Sequence, residues 1–186
     1  HEITIICREG PFKLYGVALE GEIPVLEAAQ GVPQGKNLIT LQAEQVPVRN
    51  NPNIRPLADY DMHLTPYSSD KKVINHIEDT SYKYPGDALT YTFTVEKAGH
   101  YAMALRLRQS ELANFPVYRT VLVDGVIPGP AFENAEFGYT LQFENQTILD
   151  ETGKPACMYL TEGEHTLTLL TSVDPLRPSL QLLQTI

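Results

Sequence analysis

Residues 88 to 95 read Ala88-Leu-Thr-Tyr-Thr-Phe-Thr-Val95, and this alternation decides the fold. Leu89, Tyr91, Phe93 and Val95 fall on one face of an extended chain and three threonines on the other, the period of two that a half-buried strand requires. Glu96-Lys-Ala-Gly99 reads as a turn, and His100-Tyr-Ala-Met-Ala-Leu-Arg-Leu-Arg108 repeats the pattern with Tyr101, Met103, Leu105 and Leu107 on a shared face. The spacing predicts that these two strands form a hairpin. Further on, Val117-Tyr-Arg-Thr-Val-Leu-Val123 runs into Asp124-Gly125, a strong tight-turn signal, with Val126 and Ile127 returning until Pro128 stops the ladder.

Two more strands follow, Cys157-Met-Tyr-Leu160 and His165-Thr-Leu-Thr-Leu-Leu170, joined by Thr161-Glu-Gly-Glu164. His165 shares the parity of Leu167 and Leu169, so it belongs on the apolar side at the open end of its strand, where the ring packs and still reaches a partner. Gly99-His100 repeats this arrangement, a turn glycine leading into an alternating strand, and favours a structural over a catalytic role for both histidines. Short strands punctuated by Gly, Pro and Asp-Gly, with no helical period after residue 88, predict an all-β protein: an antiparallel jelly-roll sandwich.

The remaining chain divides around that unit. Residues 1–37 read as a strand-bearing appendage and linker, with Glu2-Ile-Thr-Ile-Ile-Cys7 and the segment 12–19 as short strands. Residues 38–174 are the sandwich domain, with a loop-like, Asn- and Pro-rich stretch between Pro47 and Asp87. Residues 175–186 read as a last strand or the first turns of a helix.

At 186 residues the chain is long enough for one domain with a real core. A formal net charge of -9 with scattered basic residues gives no electrostatic footprint for nucleic acid. No apolar run is long enough for a membrane span. Cys7 and Cys157 lack metal-type spacing and read as two small buried thiols or, in an exported protein of suitable geometry, a pair. Nucleophile elbows, zinc helices, phosphate-cradling loops and dinucleotide fingerprints are lacking. The neighbouring carboxylates Glu78-Asp79 and Asp59/Asp61 leave open a hydrolase or lyase on a sandwich fold, since a glycosidase pair is defined by separation across a cleft.

Four stretches, "LQAEQ" (41–45), "FTVEKAGHYAMALRLR" (93–108), "VLVDGVIPG" (121–129) and "YLTEGEHTLTL" (159–169), resemble the galactose-binding-like β-sandwich, which includes carbohydrate-binding module families 6 and 35 and malectin. Residues 105–128 and 150–169 are also similar to the sandwich domain of extracellular solute-binding lipoproteins of Gram-positive ABC sugar-uptake systems. The resemblance implies an extracellular or cell-surface module, non-catalytic, that recognises a carbohydrate within a larger protein. It also implies a structural calcium at the "LQAEQ" position. Here Gln42 replaces the first of the two usual carboxylates and leaves Glu44 as the one metal candidate, whereas a hard cation wants several charged oxygens. No other cofactor is implied.

A sugar is held by stacking on an aromatic plane while planar polar groups take its hydroxyls. Arg108, Gln109 and Arg119 supply donors, Tyr82 and Tyr84 the plane, and Asn114 and Tyr118 lie on or beside the connection between the arginine-bearing strands. The loop 133–150, with Phe137, Tyr139, Phe143 and Asn145, is a second candidate. Two alternatives remain open: the arginines form a cross-strand ladder with glutamates, and the loop covers a sheet edge. An interdomain spacer without ligand is the rival to sugar recognition.

Overall fold

The computed structural model describes residues 23–31, 33, 37–111 and 113–184. Among these residues eleven strands run in chain order: β1 (Val48–Arg49), β2 (Pro56–Leu57), β3 (His76–Ile77), β4 (Ala88–Val95), β5 (Gly99–Ala102), β6 (Ala104–Leu107), β7 (Val117–Val123), β8 (Ala135–Phe137), β9 (Glu144–Thr147), β10 (Cys157–Leu160) and β11 (Gly163–Ser172). A short helix, α1 (Arg177–Gln184), follows and resolves the ambiguity of the C-terminal stretch. The fold is an antiparallel β-sandwich. Its main layer has the order β1-β4-β11-β7-β8, every neighbour antiparallel.

The second layer is built on β5 and β6, which follow one another with only Met103 between them. β10 pairs with β5 and β9 with β6, and the Met103 carbonyl accepts the Ile148 N–H at 3.0 Å, carrying the ladder across the gap. β2 and β3 form a separate two-stranded ribbon.

The predicted hairpin between β4 and β5 does not form. β4 pairs with β11 and β1, while β5 pairs with β10, so the turn at residues 96–98 is a corner between layers. The connection from β10 to β11 turns a corner in the same way. The two corners lie side by side, because Leu160 pairs with Gly99 and Gly163 pairs with Val95. Period-two burial reads which face of a strand is inward but not which sheet the strand joins.

Faces follow the alternation. Leu89, Tyr91 and Val95 of β4, Val121 and Val123 of β7, and Leu167 and Leu169 of β11 are buried together. Met158 and Leu160 of β10 and Ile148 meet them from the second layer. Each large apolar side chain removed from water contributes about 1.5–3 kcal/mol, so this row is what joins the layers. On the outer face Thr92, Thr94 and Thr166 are exposed, and Thr90 and Thr168 share a hydroxyl contact of 2.9 Å.

Asp124 and Gly125 have φ of 52° and 80°, the left-handed pair a two-residue turn demands, and Val123 and Val126 exchange both backbone hydrogen bonds. The return is brief. Ile127 leaves the hairpin and takes a parallel bridge to Val25, with Leu26 N–H donating to the Ile127 carbonyl at 2.8 Å. Linker residues 24–26 are thereby tied to the sandwich. The predicted strands at 2–7 and 12–19, and Cys7, lie outside the described residues; Cys157 is half-buried.

The asparagine-rich stretch is structural. Asn50 brackets the start of β4, donating to the Gly86 carbonyl and accepting the Ala88 N–H, and Asn51 donates to the buried Asp87. Among the described residues no helix is long and apolar enough to cross a membrane.

Candidate functional site

Where β6 ends, the chain reaches Arg108, which leaves the sheet toward the β2–β3 ribbon. Its guanidinium lies 3.1 Å from the Asp59 carboxylate and 4.5 Å from the centre of the Phe143 ring. His76 of β3 meets the same ring edge-on, the two ring centres 5.7 Å apart. Together with Leu57, Ile77, Glu78 and Asp79 these residues line a cleft of about 170 Å³. That is smaller than the roughly 300–1,000 Å³ of drug-sized sites, and suits a single sugar ring.

The cleft wall is held from behind by Asn75, which is buried. Its amide oxygen accepts the Asp59 N–H and its amide nitrogen donates to the carbonyls of Asp59 and Pro66. Asp59 in turn accepts the Asp61 N–H through Oδ1. Burial pushes the His76 imidazole below its ordinary value, so the ring is neutral at physiological pH; its Nδ1 lies 3.3 Å from the Asn75 amide oxygen, an acceptor, which leaves Nε2 as an acceptor. Glu78 is held below the usual carboxylate range by its hydrogen bond to Arg55.

A larger hollow, about 270 Å³, lies between residues 130–136 and 147–149. It is lined by two glutamates and an asparagine, with neither aromatic ring nor cation. Sugar recognition needs a ring face and planar donors, so the smaller cleft is the candidate despite its size.

The residues that the sequence grouped as one pocket fall into separate environments. Arg119 stacks on Tyr82, with its guanidinium carbon 4.8 Å from the ring centre. Tyr82 packs against the core, donates its hydroxyl to the Leu169 carbonyl at 2.7 Å, and burial raises its phenol above the usual range. Gln109 is buried; its side chain donates to the Phe115 carbonyl, and its backbone exchanges hydrogen bonds with Thr140, so it joins the loops at 109–116 and 138–143. Tyr84 and Tyr139 are exposed, as is Asn114, which adopts a φ of 66°. Tyr118 is half-buried beside Glu136, and burial raises its phenol. Asn145 accepts from the Arg106 guanidinium at 2.9 Å.

Of the nine predicted ligand-binding residues, then, Arg108 lines the cleft, and its aromatic neighbour is Phe143 from the second candidate loop. The arginine ladder with glutamates does not form: Arg106 meets Asn145, Arg108 meets Asp59, and Arg119 meets Tyr82. Asp59, Glu78 and Asp79 were visible in the sequence as members of two carboxylate pairs, but the pairing of Leu57 with His76 that brings the two together spans a gap that no local pattern bridges.

Glu44 occupies a single 3-10 turn, Ala43–Gln45, and its Oε2 is buried without a hydrogen-bond partner. An orphaned carboxylate oxygen is a point a cation would complete. Yet among the described residues no three His, Cys, Asp or Glu side chains group together to hold an ion. Among the described residues Glu44 is thus not joined by the further acidic side chains that the resemblance implies for a calcium site.

His165, the other suggestive residue, is also accounted for. Its Nδ1 lies 2.6 Å from Asp124 Oδ2 and its Nε2 lies 3.0 Å from the Thr161 carbonyl. Both nitrogens face acceptors, which only the protonated ring satisfies, and its affinity for a proton is raised accordingly, first by Asp124 and then by Thr161. A ring so committed offers no lone pair to a substrate. It clamps the Asp124–Gly125 turn to β11.

No model of a known protein family matches the chain, and no curated protein matches it. Among solved structures, similarity is found to the cycloisomaltooligosaccharide glucanotransferase of Paenibacillus sp. complexed with cycloisomaltoheptaose, at 23% identity and a TM-score of 0.48 over 72% of this chain and 16% of that one. A family 35 carbohydrate-binding module from Clostridium thermocellum is similar at 16% identity and a TM-score of 0.49, over 71% of this chain and 84% of that one. A GH26-CBM35 β-(1,4)-mannanase from Podospora anserina is similar at 12% identity and a TM-score of 0.45, over 72% of this chain and 24% of that one. This chain thus spans about a sixth of the glucanotransferase and about a quarter of the mannanase.

Proposed function

We propose that the chain is a non-catalytic carbohydrate-recognition module of a larger extracellular protein, with the Arg108 cleft as its sugar site. The observation that carries this is the convergence of a guanidinium, a neutral imidazole and an aromatic ring on one single-ring hollow. Planar donors of this kind take vicinal hydroxyls, and the apolar lining of Leu57 and Ile77 suits the C–H face of a pyranose. The similarity of residues 105–128 and 150–169 to solute-binding lipoproteins supports a cell-surface setting beside an ABC sugar-uptake system. A binding rather than hydrolytic role is supported by Glu78, whose proton affinity is lowered by Arg55, the reverse of what a general acid needs.

The test is calorimetry against a panel of oligosaccharides, with Arg108→Ala as the cleft variant and Tyr84→Ala as an exposed aromatic control. Binding lost in the first and kept in the second supports the cleft. Uniform silence across the panel would leave the spacer reading, which the internal commitments of Tyr82, Gln109 and Arg119 favour.

A further inference from the structure

We infer that the cleft selects a sugar bearing a free ammonium, a hexosamine unit, over neutral and uronic-acid sugars, and that Asp79 is the carboxylate that recognises it. This rests on the reading of the cleft as a sugar site. The argument is a charge balance around the hollow. One cation lines it, Arg108, and it is already matched by Asp59 at 3.1 Å, while Glu78 on the wall is matched by Arg55 at 2.5 Å. Asp79 is a third carboxylate on the same wall, exposed, with Oδ1 accepting the Thr80 N–H. His76, neutral through burial, adds no compensating charge.

A uronate entering this hollow would have to displace Asp59 from Arg108 and would still face Glu78 and Asp79. An ammonium would meet Asp79 directly, while Arg108 and His76 remain available to hydroxyls. The chain's formal net charge of -9 adds a field of the same sign, which raises the local concentration of cations. A charge-assisted hydrogen bond at a half-open site corresponds to about a tenfold difference in affinity.

The experiment is calorimetry on the whole chain at low ionic strength with three probes: the β-1,4-linked glucosamine tetramer, its N-acetylated counterpart and tetragalacturonate. The expected result is the free-amine tetramer binding about tenfold tighter than the acetylated one, with no binding of the uronate. Asp79→Asn should abolish the difference between the free-amine and the acetylated tetramer, and Arg108→Ala should remove binding of both. Glu96→Gln, at the far corner, is the control for general attraction between a polycation and an acidic protein. Equal affinities, tighter uronate binding, or a loss on Glu96→Gln as large as on Asp79→Asn would overturn the ammonium inference and leave the sugar site standing. Silence from all three probes and from the wider neutral panel would overturn the sugar reading, and this inference with it.

Discussion

Two arginine–aromatic stacks stand among the described residues, and they differ in what surrounds them. Arg119 covers Tyr82 against the core, and the tyrosine's hydroxyl is tied to β11. Arg108 covers Phe143 at the rim of a hollow, with its side chain 30% exposed and its partner Asp59 28% exposed. The same pairing chemistry therefore serves cohesion in one place and leaves a wet, ordered donor in the other. A cation–aromatic contact is no sign of a site by itself; the space beside it decides.

The largest expected effect tests the cohesive stack. Tyr82→Ala removes a packed ring and strands the Leu169 carbonyl, and should cost about 3 kcal/mol. Thermal melting should show this as a fall of roughly 6–12 °C. Tyr82→Phe keeps the ring and loses the hydrogen bond, for about 1 kcal/mol. If both variants melt like the parent, Tyr82 is not part of the core and the contrast between the stacks collapses.

The two layer corners offer a second contrast, and they show how far the sequence could be read. Alternation in residues 88–95, 100–107 and 165–170 marks the inward faces, because burial of one side is a local property, whereas β7 is buried on both faces from Thr120 to Val123. Partner choice is not local, so β4–β5 looked like a hairpin while it is a corner. The cleft escaped the sequence for the same reason: Asp59, His76, Arg108 and Phe143 come from four separate stretches, and the signals that Arg108, Asp59 and Phe143 carried pointed to three different candidate sites. The corner glycines look equivalent in sequence but are not. Gly163 has a φ of 132°, whereas Gly99 has neither a left-handed φ nor a close neighbour. An added Cβ meets nothing within 4 Å at Gly163 either, so Gly163→Ala should cost about 1–2 kcal/mol of backbone strain alone. Gly99→Ala should melt within about 2 °C of the parent.

The clamp at His165 adds a pH signature. Its proton affinity is raised above the ordinary 6.5, so its contribution is complete below that pH and is lost as pH rises through the raised value. Asp124 is lowered from 3.8: burial, its largest single influence, pushes it up, but the Thr166 N–H and His165 together outweigh that. Its contribution is complete above 3.8 and is lost as pH falls through the lowered value. The pair therefore acts most fully between 3.8 and 6.5. Asp124→Asn keeps the turn-compatible shape and removes the charge. With Asp124 50% exposed, the loss should be only about 1 kcal/mol near the middle of that window, shrinking toward alkaline pH. A stability difference that is flat with pH would mean the ring is neutral and the clamp is packing.

A small expected effect on stability is the one that matters most for function. Arg108→Ala breaks a half-exposed ion pair and a stack at a rim, which should cost less than about 1 kcal/mol and move the melting temperature by only a few degrees. Its effect on sugar binding should be complete, because Arg108 is the one cation among the residues that line the cleft. A variant with large thermal loss and intact binding would invert the comparison, making Arg108 the cohesive stack. Binding loss without thermal loss is the outcome that separates a recognition surface from a buttress.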